Sequence, residues 1–540
     1  MIHFDFPSNN IGYLCTDWQV EQGRGDKTAL IWLSSNLDST IYSFRELNEK
    51  SNQFANVLKE LGVHKGDKIM LLLPRIPELF IFFLGTLKAG VNACILFNSI
   101  GGETLRNRIL DSETNWIVTN KNFLFKIDEI EEELPEKFKI LILGDDIQSE
   151  KRIGLDVFIQ QAEKSFEPLT TNKDQPSHFH FTSGSTGKPK GVQHVHAAVE
   201  AIASSFMEVM QPNPDDLYWC TADQGWVTGV SYGIIGPWVN GITQVQFEGN
   251  FNAELWMKIL EKYHVNILYS APTVFRMLML NDDSFFRQFD ISVLKRIYCV
   301  GEPLNPVIVE WCRRVLGKDI YDTWFQTETG SIMIANRPGL EVRPGSMGRP
   351  LSYIDAAILN DKGKPLPPLE KGLLCIKKPW SSMFVEYMND LRTYHDKFMG
   401  GFYSSGDIAF SDHDGYYWFI GRNDDVINTA GHLVSPFEVE SALLEMDEVT
   451  DVGVVGVPDD VLYEKIVAFV VKNNKKTDER QTELKMKLHV SNKVSSMAAP
   501  KEIIFVDSIP KTKSGKIMRR VLRNRYLNLD LGDLSTLEEY

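Results

Sequence analysis

The pattern of apolar and polar positions before residue 345 alternates between helical and strand spacing. Apolar residues recur at helical spacing over 43–63, with Ser43 at the predicted N-cap, and a helix is predicted again over 77–90. Short apolar runs with β-branched residues predict strands between such helices, at 67–73, 115–120, 139–145, 244–249, 265–272 and 294–303. This alternation predicts an α/β fold in which helices cover the sheets, and ligands then collect at the carboxyl ends of the strands.

The pattern changes from about residue 345, where strand-like runs are joined by Gly/Pro turns. Residues 401–432 predict a β-meander, and they are followed by a helix over 436–446. The last segment predicts strands at 449–459 and 464–472, a helix, and a short strand at 502–507. We expect a large N-terminal domain, 1–423, of helix-covered sheets plus a β-barrel-like part, and a small mobile α+β C-terminal domain, 424–540.

Composition narrows the class of protein. The 540 residues are 43% hydrophobic and 24% charged, which is typical of a globular protein, and the formal net charge is −15. Such an acidic chain is a poor general ligand for nucleic acid or an anionic membrane. Six scattered cysteines without a CxxC pair, no signal-peptide pattern and no apolar run of membrane-spanning length predict a reduced, cytoplasmic protein.

Candidate chemistry begins at "FTSGSTGKPKGV" (181–192), a loop that combines glycine, hydroxyl groups and lysine. It is not a P-loop, because Gly184 is separated from Gly187-Lys188 by two residues instead of four, and Pro189 stands where a hydroxyl is needed. Its donors still suit phosphate, although a polar surface loop has the same composition.

Four more stretches occur further along the chain: "DTWFQTETG" (322–330), "YSSGD" (403–407), "GRNDDVIN" (421–428) and "PKTKSGKIMRR" (510–520). With the glycine-rich loop they resemble, in order and over essentially the whole chain, the adenylate-forming (AMP-binding) superfamily of acyl-CoA synthetases, luciferases and nonribosomal adenylation domains. "TADQGWVTGVSYGIIGPW" (221–238) and "PGSMGRP" (344–350) are most similar to the short acetyl-CoA synthetases of that superfamily.

The resemblance implies ATP, Mg²⁺ and CoA as participants, with Lys516, Thr327 and Glu328 as catalytic residues. Thr327 would contact the α-phosphate, Glu328 would hold Mg²⁺, and Lys516 would bring an ammonium group to the charge that develops on the α-phosphate. The residues implied to bind ATP are Thr182, Ser183, Gly184, Ser185, Thr186, Gly187, Lys188, Gly301, Glu302, Pro303, Asp322, Thr323, Trp324, Phe325, Gln326, Thr327, Asp407 and Arg422.

The same resemblance implies an acyl pocket and a CoA path. The implied acyl-pocket residues are Trp226, Val227, Thr228, Val300 and Phe325, and those of the CoA path are Arg108, Thr228, Asn252 and Ala430. Phe325 departs from the tryptophan of acetyl-CoA synthetases, so acetate is expected first and propionate or butyrate close behind. Asp424 matches the position at which relatives rotate the C-terminal domain. His194 and His196 are expected on a helix after the loop, in packing or exposed positions.

The expected function is activation of a short carboxylic acid to acyl-AMP and then to acyl-CoA. Two alternatives stay open: loading of the acyl group on the phosphopantetheine of a carrier protein, and an impaired homologue that only binds nucleotide. Leu433, which stands where most relatives carry Arg or Lys, supports the impaired homologue, whereas retention of Glu328, Asp407, Arg422 and Lys516 argues against it.

Overall fold

The computed structural model describes residues 4–183, 189–430, 432–459, 461–473, 479–512, 516–531 and 534. The strands are β1 (Thr28–Leu33), β2 (Ser39–Ser43), β3 (Lys68–Leu72), β4 (Asn92–Ile95), β5 (Trp116–Asn120), β6 (Lys139–Leu143), β7 (Arg152–Gly154), β8 (Pro176–Ser183), β9 (Pro189–Val195), β10 (Leu217–Cys220), β11 (Thr243–Phe247), β12 (Ile267–Ser270), β13 (Arg296–Val300), β14 (Ile320–Trp324), β15 (Ile334–Ala335), β16 (Ser346–Pro350), β17 (Ala356–Leu359), β18 (Gly372–Lys377), β19 (Glu386–Tyr387), β20 (Phe398–Met399), β21 (Phe402–Ser411), β22 (Tyr417–Arg422), β23 (Ile427–Thr429), β24 (His432–Val434), β25 (Val449–Asp459), β26 (Tyr463–Lys472) and β27 (Glu502–Phe505).

The α-helices are α1 (Ile11–Cys15), α2 (Asp17–Gln19), α3 (Phe44–Glu60), α4 (Pro77–Lys88), α5 (Gly102–Ser112), α6 (Phe125–Asp128), α7 (Asp156–Gln161), α8 (Ala198–Met210), α9 (Val227–Val230), α10 (Gly236–Val239), α11 (Ala253–Lys262), α12 (Pro272–Leu278), α13 (Asp283–Phe286), α14 (Pro306–Trp311), α15 (Leu391–Asp396), α16 (Pro436–Leu444), α17 (Glu479–Lys493) and α18 (Arg519–Leu527). None of these helices is both long and apolar enough to cross a membrane.

The largest sheet runs in the order β17-β18-β21-β22-β16-β15-β14-β13-β12-β10-β11-β1-β2, with β20 paired to β21. Strands β14, β13, β12, β10, β11 and β1 are parallel to one another along this path, and the antiparallel strands β15 and β2 flank them. The antiparallel strands from β15 to β22 continue the same path, and they occupy the part that was predicted to be barrel-like. The carboxyl ends of the parallel strands therefore open beside the antiparallel end of the sheet.

A second sheet has the order β19-β9-β8-β4-β3-β5-β6-β7. Strands β8 and β9 pair antiparallel in a register that places Thr182 opposite Lys190. Residues 184–188, between these two strands, lie outside the described residues. The five positions of the predicted phosphate loop within that gap, Gly184, Ser185, Thr186, Gly187 and Lys188, are therefore not placed by the structure.

Helices α4 and α8 pack between the two large sheets. Phe80 of α4 and Ile202 of α8 belong to one buried cluster with Leu71 of β3 and Leu30 of β1. α4 is buried on nearly all of its faces, which explains why its sequence is apolar without a polar stripe. This shared core joins the two sheets and positions the strand ends that carry the site.

The third sheet contains β24, β23, β26 and β25, with β27 parallel to β26. α16 and α17 cover one face of it through Val439 and Met486, which are buried together with Val454. The α/β architecture with a small α+β C-terminal part was predicted correctly from the sequence. Its elements also lie where the apolar pattern placed them, as α3 shows with its capping box between Ser43 and Glu46.

Candidate active site

A cavity of about 1100 Å³ opens at the carboxyl ends of β10, β12, β13 and β14. The antiparallel strands β21 and β22 and the turn before α18 form its other walls. The predicted site residues that line this cavity are Thr182, Trp226, Val227, Thr228, Val300, Gly301, Glu302, Pro303, Asp322, Thr323, Trp324, Phe325, Gln326, Thr327, Glu328, Asp407, Arg422 and Lys516. Segments more than 300 residues apart in sequence, such as Thr182 and Lys516, thus meet at one site.

Asp407 of β21 is the best-anchored acid in the cavity. Its Oδ1 accepts from Arg422 Nη1 at 3.1 Å, and its Oδ2 accepts from Trp324 Nε1 at 3.0 Å and from Gln326 Nε2 at 3.2 Å. Burial raises the pKa of Asp407, and Arg422 offsets this only in part. Three donors thus hold the carboxylate in a fixed orientation, which suits recognition of vicinal hydroxyl groups.

Glu328 lies after β14 and faces the strand pair β9–β19. Its Oε1 accepts from the Tyr387 hydroxyl at 2.7 Å, and its backbone carbonyl accepts from the Phe384 N–H at 2.9 Å. Burial, and after it the charge of Glu328, raises the pKa of Tyr387, so the phenol stays a donor. Among the described residues no cluster of three metal-ligating side chains occurs. A single carboxylate fits Mg²⁺, which takes one or two carboxylates and completes its shell with phosphate and water.

A buried histidine holds the backbone of Thr327 in place. His194 Nε2 donates to the Thr327 carbonyl at 2.8 Å, since a carbonyl can only accept. His194 stacks on His178 with ring centroids 5.2 Å apart, and His180 packs edge-on against both. Burial lowers the pKa of His194 to about 4 and that of His180 to about 3, so this cluster is neutral at physiological pH.

The expectation that His194 and His196 lie on a helix was wrong. His194 is on β9, and His196 follows the end of that strand. Both side chains are fully buried, and burial lowers the pKa of His196 to about 3. The physical reason is that β9 lies inside the second sheet, where neither face reaches water. Packing, one of the two roles expected for these histidines, is the one that the structure supports.

The segment Gly301-Glu302-Pro303 turns the chain after β13. Gly301 has a φ of 94°, a conformation that glycine adopts without strain. Glu302 accepts hydrogen bonds from Thr273 and from Arg276, both on α12. Burial raises the pKa of Asp322, at the neighbouring strand β14, well above its usual range. The resulting wall combines backbone groups with two largely buried carboxyl groups, those of Glu302 and Asp322, a surface that suits a heteroaromatic ring.

The acyl-pocket residues surround an aromatic end of the cavity. The Phe325 ring meets the Tyr232 ring edge-on, with centroids 5.4 Å apart. Tyr232 lies in a π-helical segment, Ser231–Ile235, that joins α9 to α10, and such segments are frequent at functional sites. Trp226 packs against Phe97 with centroids 4.5 Å apart. These contacts close this end of the cavity, so the ring at position 325 limits its depth.

Lys516 enters the cavity from a turn that precedes α18. Its N–H donates to Thr512 Oγ1 at 3.2 Å, and its carbonyl accepts from the Thr512 N–H at 2.8 Å. The side chain keeps contact with solvent through the cavity, yet surrounding protein lowers its pKa by burial, and repulsion from Arg422 adds to this. Asp407 and Asp425 act in the opposite direction. The ammonium group thus faces the same corner as Asp407.

The basic residues on either side of Lys516 have partners of their own. Lys511 is 5% exposed and forms an ion pair with Asp451 of β25. Arg519 is 17% exposed and contacts both carboxylate oxygens of Glu440, at 2.8 and 2.7 Å. Neither residue is part of a solvated basic tail, because both side chains are largely buried and paired. They anchor the turn that carries Lys516.

Several predicted residues lie outside the cavity walls. Arg108 is 5% exposed, and its guanidinium lies 5.9 and 5.1 Å from the Phe97 and Phe181 ring centroids. Asn252 caps α11 by accepting from the Leu255 N–H at 3.0 Å. Ala430 has a φ of 49° and follows β23. Their assignment to a CoA path stays a prediction, and for Arg108 it requires a buried guanidinium to become uncovered.

Sequence reasoning missed Tyr387, which contacts Glu328, and Lys397, which lines the cavity after α15. Both lie between the motifs that carry the family resemblance, in a segment whose local sequence pattern does not indicate a functional residue. Their role depends on a tertiary contact across about 60 to 70 residues, and no spacing rule encodes such a contact.

Comparison with known families agrees with this geometry. Residues 16–388 match the family model described as AMP-binding enzyme, and residues 438–516 match the model described as AMP-binding enzyme C-terminal domain. The first model alone covers more than half of the chain. The chain therefore belongs to the AMP-binding enzyme family.

Individual relatives and solved structures show which members of the family the chain is similar to. The chain is 42% identical over 533 residues to an acetyl-coenzyme A synthetase of Bacillus subtilis, covering 98% of this chain and 93% of that protein. A crystal structure of the anthranilate CoA ligase AuaEII in complex with anthranoyl-AMP aligns with a TM-score of 0.88 at 27% identity, over 96% of this chain and 98% of that one. A Brucella canis acyl-CoA synthetase aligns with a TM-score of 0.75 at 31% identity, over 98% and 96%.

Proposed function

We propose that this chain is an ATP-dependent, AMP-forming ligase that converts a short carboxylic acid, acetate before propionate and butyrate, to its CoA thioester. The observation that carries the proposal is one cavity in which Glu328, Asp407, Arg422 and Lys516 face a pocket closed by aromatic rings. The likeness to acetyl-coenzyme A synthetases over nearly the full length supports the same acid. A cytoplasmic location, where ATP and CoA are both present, is part of this proposal.

In the first half-reaction a carboxylate oxygen attacks the α-phosphorus of ATP, and the bond to the β-phosphate oxygen breaks to release pyrophosphate. Asp407 accepts from the ribose hydroxyls, and Arg422 holds Asp407 in place. Lys516 stabilises negative charge that develops at the α-phosphate. Mg²⁺ held by Glu328 would neutralise phosphate charge. Thr182 and Thr327 add hydroxyl donors at the same end.

In the second half-reaction the CoA thiolate attacks the acyl carbonyl carbon, and AMP leaves as its bond to that carbon breaks. Lys516 is not required for this step, because the α-phosphorus is not attacked in it. We assign the acceptor path to Thr228, which lines the cavity, and to Arg108, Asn252 and Ala430 at its periphery. A carrier protein would need to present its phosphopantetheine through the same path.

The experiment that tests the function is AMP release with Mg-ATP and a panel of acids from acetate to octanoate, with and without CoA. CoA-dependent AMP with a short acid is expected. Pyrophosphate exchange without CoA-stimulated AMP would contradict CoA as the acceptor and favour a carrier protein. Absence of both with every acid would contradict the ligase and favour a protein that only binds nucleotide.

Phe325 is expected to set the length of the acid. Phe325→Ala removes the ring that closes the pocket against Tyr232, so longer acids gain apolar contact. Each additional buried methylene is worth about 0.8 kcal/mol, or about fourfold in kcat/KM. We expect the ratio of kcat/KM for butyrate to that for acetate to rise about tenfold in Phe325→Ala and to fall in Phe325→Trp. Acid profiles that do not differ between the two variants would contradict this role.

We propose that Asp424 is the hinge between an N-terminal domain, 1–423, and a mobile C-terminal domain, 424–540. Asp424 lies between β22 of the largest sheet and β23 of the third, and its side chain is 54% exposed. Contacts across the boundary include the hydrogen bond from Asn305 Nδ2 to Ser441 Oγ at 3.1 Å and an edge-on contact of the Phe419 and Phe437 rings, with centroids 6.4 Å apart. A small number of such contacts can be exchanged during a rotation, whereas a large apolar interface would resist it.

Asp424→Pro is expected to slow thioester formation more than adenylation, because proline fixes φ at a residue that must change it. The expected loss in the rate of thioester formation from supplied acyl-AMP is about tenfold or more, with pyrophosphate exchange within about threefold of the wild type. Asp424→Ala is the matched control: it also loses the contact with Arg422 but leaves φ free. Equal effects of both substitutions on both steps would contradict the hinge.

A further inference from the structure

Lys397 is a lysine of the cavity wall to which no role has been assigned. It caps the C-terminus of α15, where its N–H donates to the Tyr394 carbonyl at 3.1 Å. Its own carbonyl accepts from the Ser404 N–H of β21 at 2.8 Å. These two bonds fix the backbone on both sides of the residue, and the partly buried side chain lines the cavity.

The Lys397 ammonium group has no protein partner among the residues that the structure describes: no carboxylate or other acceptor there lies within ion-pair or hydrogen-bonding distance of Nζ. Lys190, in the same cavity wall, provides the contrast. Its Nζ lies 3.1 Å from Asp390 Oδ2 and donates to Thr393 Oγ1 at 3.0 Å. Lys190 is thus neutralised within the protein, whereas Lys397 is not.

Charged groups surround Lys397 at longer range. Burial lowers its pKa, Glu328 and Asp407 act against this, and Arg422 and Lys190 act with it. Both acids are already engaged, Glu328 by the Tyr387 hydroxyl and Asp407 by Arg422. Partial burial removes part of the hydration of a cation that has no ion-pair partner, and a bound anion would offset this cost.

We propose that Lys397 binds the β- and γ-phosphates of the nucleotide and the pyrophosphate that leaves. The proposal rests on the proposed function only in that ATP is the nucleotide. Two residues mark this end of the cavity as the polyphosphate end: Glu328, the candidate ligand of phosphate-bound Mg²⁺, and Lys190, within the glycine-rich stretch 181–192. Lys397 ends α15, and Thr393 of that helix contacts Lys190 of β9, so both lysines belong to the same wall of the cavity.

The test is calorimetric binding of three probes, ATP, AMP and inorganic pyrophosphate, to the full-length protein without acid or CoA. Lys397→Met keeps the length of the side chain and removes its charge. We expect it to weaken ATP and pyrophosphate binding about tenfold or more and AMP binding less than about twofold, as for loss of one charge-assisted hydrogen bond. Lys397→Arg should restore ATP binding to within about threefold of the wild type.

Lys378→Met is the matched control, because Lys378 lies nearby, is exposed, and contacts the Phe398 ring at 4.8 Å outside the cavity. Thermal midpoints of all variants check folding. Unchanged ATP and pyrophosphate binding in Lys397→Met would overturn the proposal, and so would equal losses for ATP and AMP, which would place the charge at the α-phosphate or ribose. Because no acid or CoA is present, a failure of the proposed acid specificity leaves this result unaffected.

Discussion

Lys516→Ala is expected to abolish formation of acyl-AMP while leaving conversion of supplied acyl-AMP to acyl-CoA nearly intact. The ammonium group faces the corner of the cavity where Asp407 and Arg422 lie, and no other lysine enters that corner from the described part of the third sheet and its helices. Loss of one preorganised charge at a developing oxyanion costs about a hundredfold to a thousandfold in rate. Pyrophosphate exchange measures the first step, and thioester formation from synthetic acyl-AMP measures the second.

Lys501→Ala is a suitable control for Lys516→Ala, because Lys501 is an exposed lysine of the same domain that does not line the cavity. Its activity in both half-reactions should equal that of the wild type. Equal loss of both half-reactions in Lys516→Ala would contradict the assigned role and point to a structural one. A normal first step would contradict it outright.

The strand-end site could be predicted because its motifs are local. Residues 322–330 form the end of β14 and the turn after it, and residues 403–407 lie within β21. The chemically important residues of each motif lie within a few positions of one another. The sequence pattern and the predicted element therefore identify the motif together. The order of the sheets then brings these ends into one cavity.

The buried histidines show where local pattern fails. "HFH" on β8 and "HVH", which begins on β9 and ends one residue after it, alternate with a period of two, which is a strand signal. Histidine is usually half-exposed, and this obscured the signal. The local pattern also could not predict that Lys511 and Arg519 are buried and paired. Their partners Asp451 and Glu440 are about 60 and 79 residues away, so the pairing depends on the tertiary fold.

In the proposed function, Lys397, Lys190 and Lys516 would distribute positive charge around the nucleotide together with Arg422. Lys190 is paired with Asp390, Lys397 is not paired within the described residues, and Lys516 is carried by the proposed mobile domain. A rotation at Asp424 would remove Lys516 and leave the other two in place. Lys190 and Lys397 would therefore balance the charge of the polyphosphate in both positions of the domain. Lys516 would balance charge at the α-phosphate only before the rotation.

Glu328→Gln is the second substitution expected to have a large effect. Glutamine keeps the size of the side chain and its acceptor for the Tyr387 hydroxyl, but it loses the negative charge that suits Mg²⁺. We expect pyrophosphate exchange to fall about a hundredfold, with partial recovery when Mg²⁺ is raised well above the ATP concentration. Thioester formation from supplied acyl-AMP should be unchanged, since that step forms no pyrophosphate.

The dependence on Mg²⁺ separates Glu328 from Lys516, because both substitutions are expected to spare the second step. Excess Mg²⁺ should partly restore Glu328→Gln by mass action and should not restore Lys516→Ala. Tyr387→Phe removes the hydrogen bond and keeps the carboxylate, so its loss should be about tenfold or less. Glu386→Gln, on the adjacent position of β19 and outside the cavity wall, is the charge-matched control. A Mg²⁺ dependence in Glu328→Gln identical to that of the wild type would show that the carboxylate does not hold the metal.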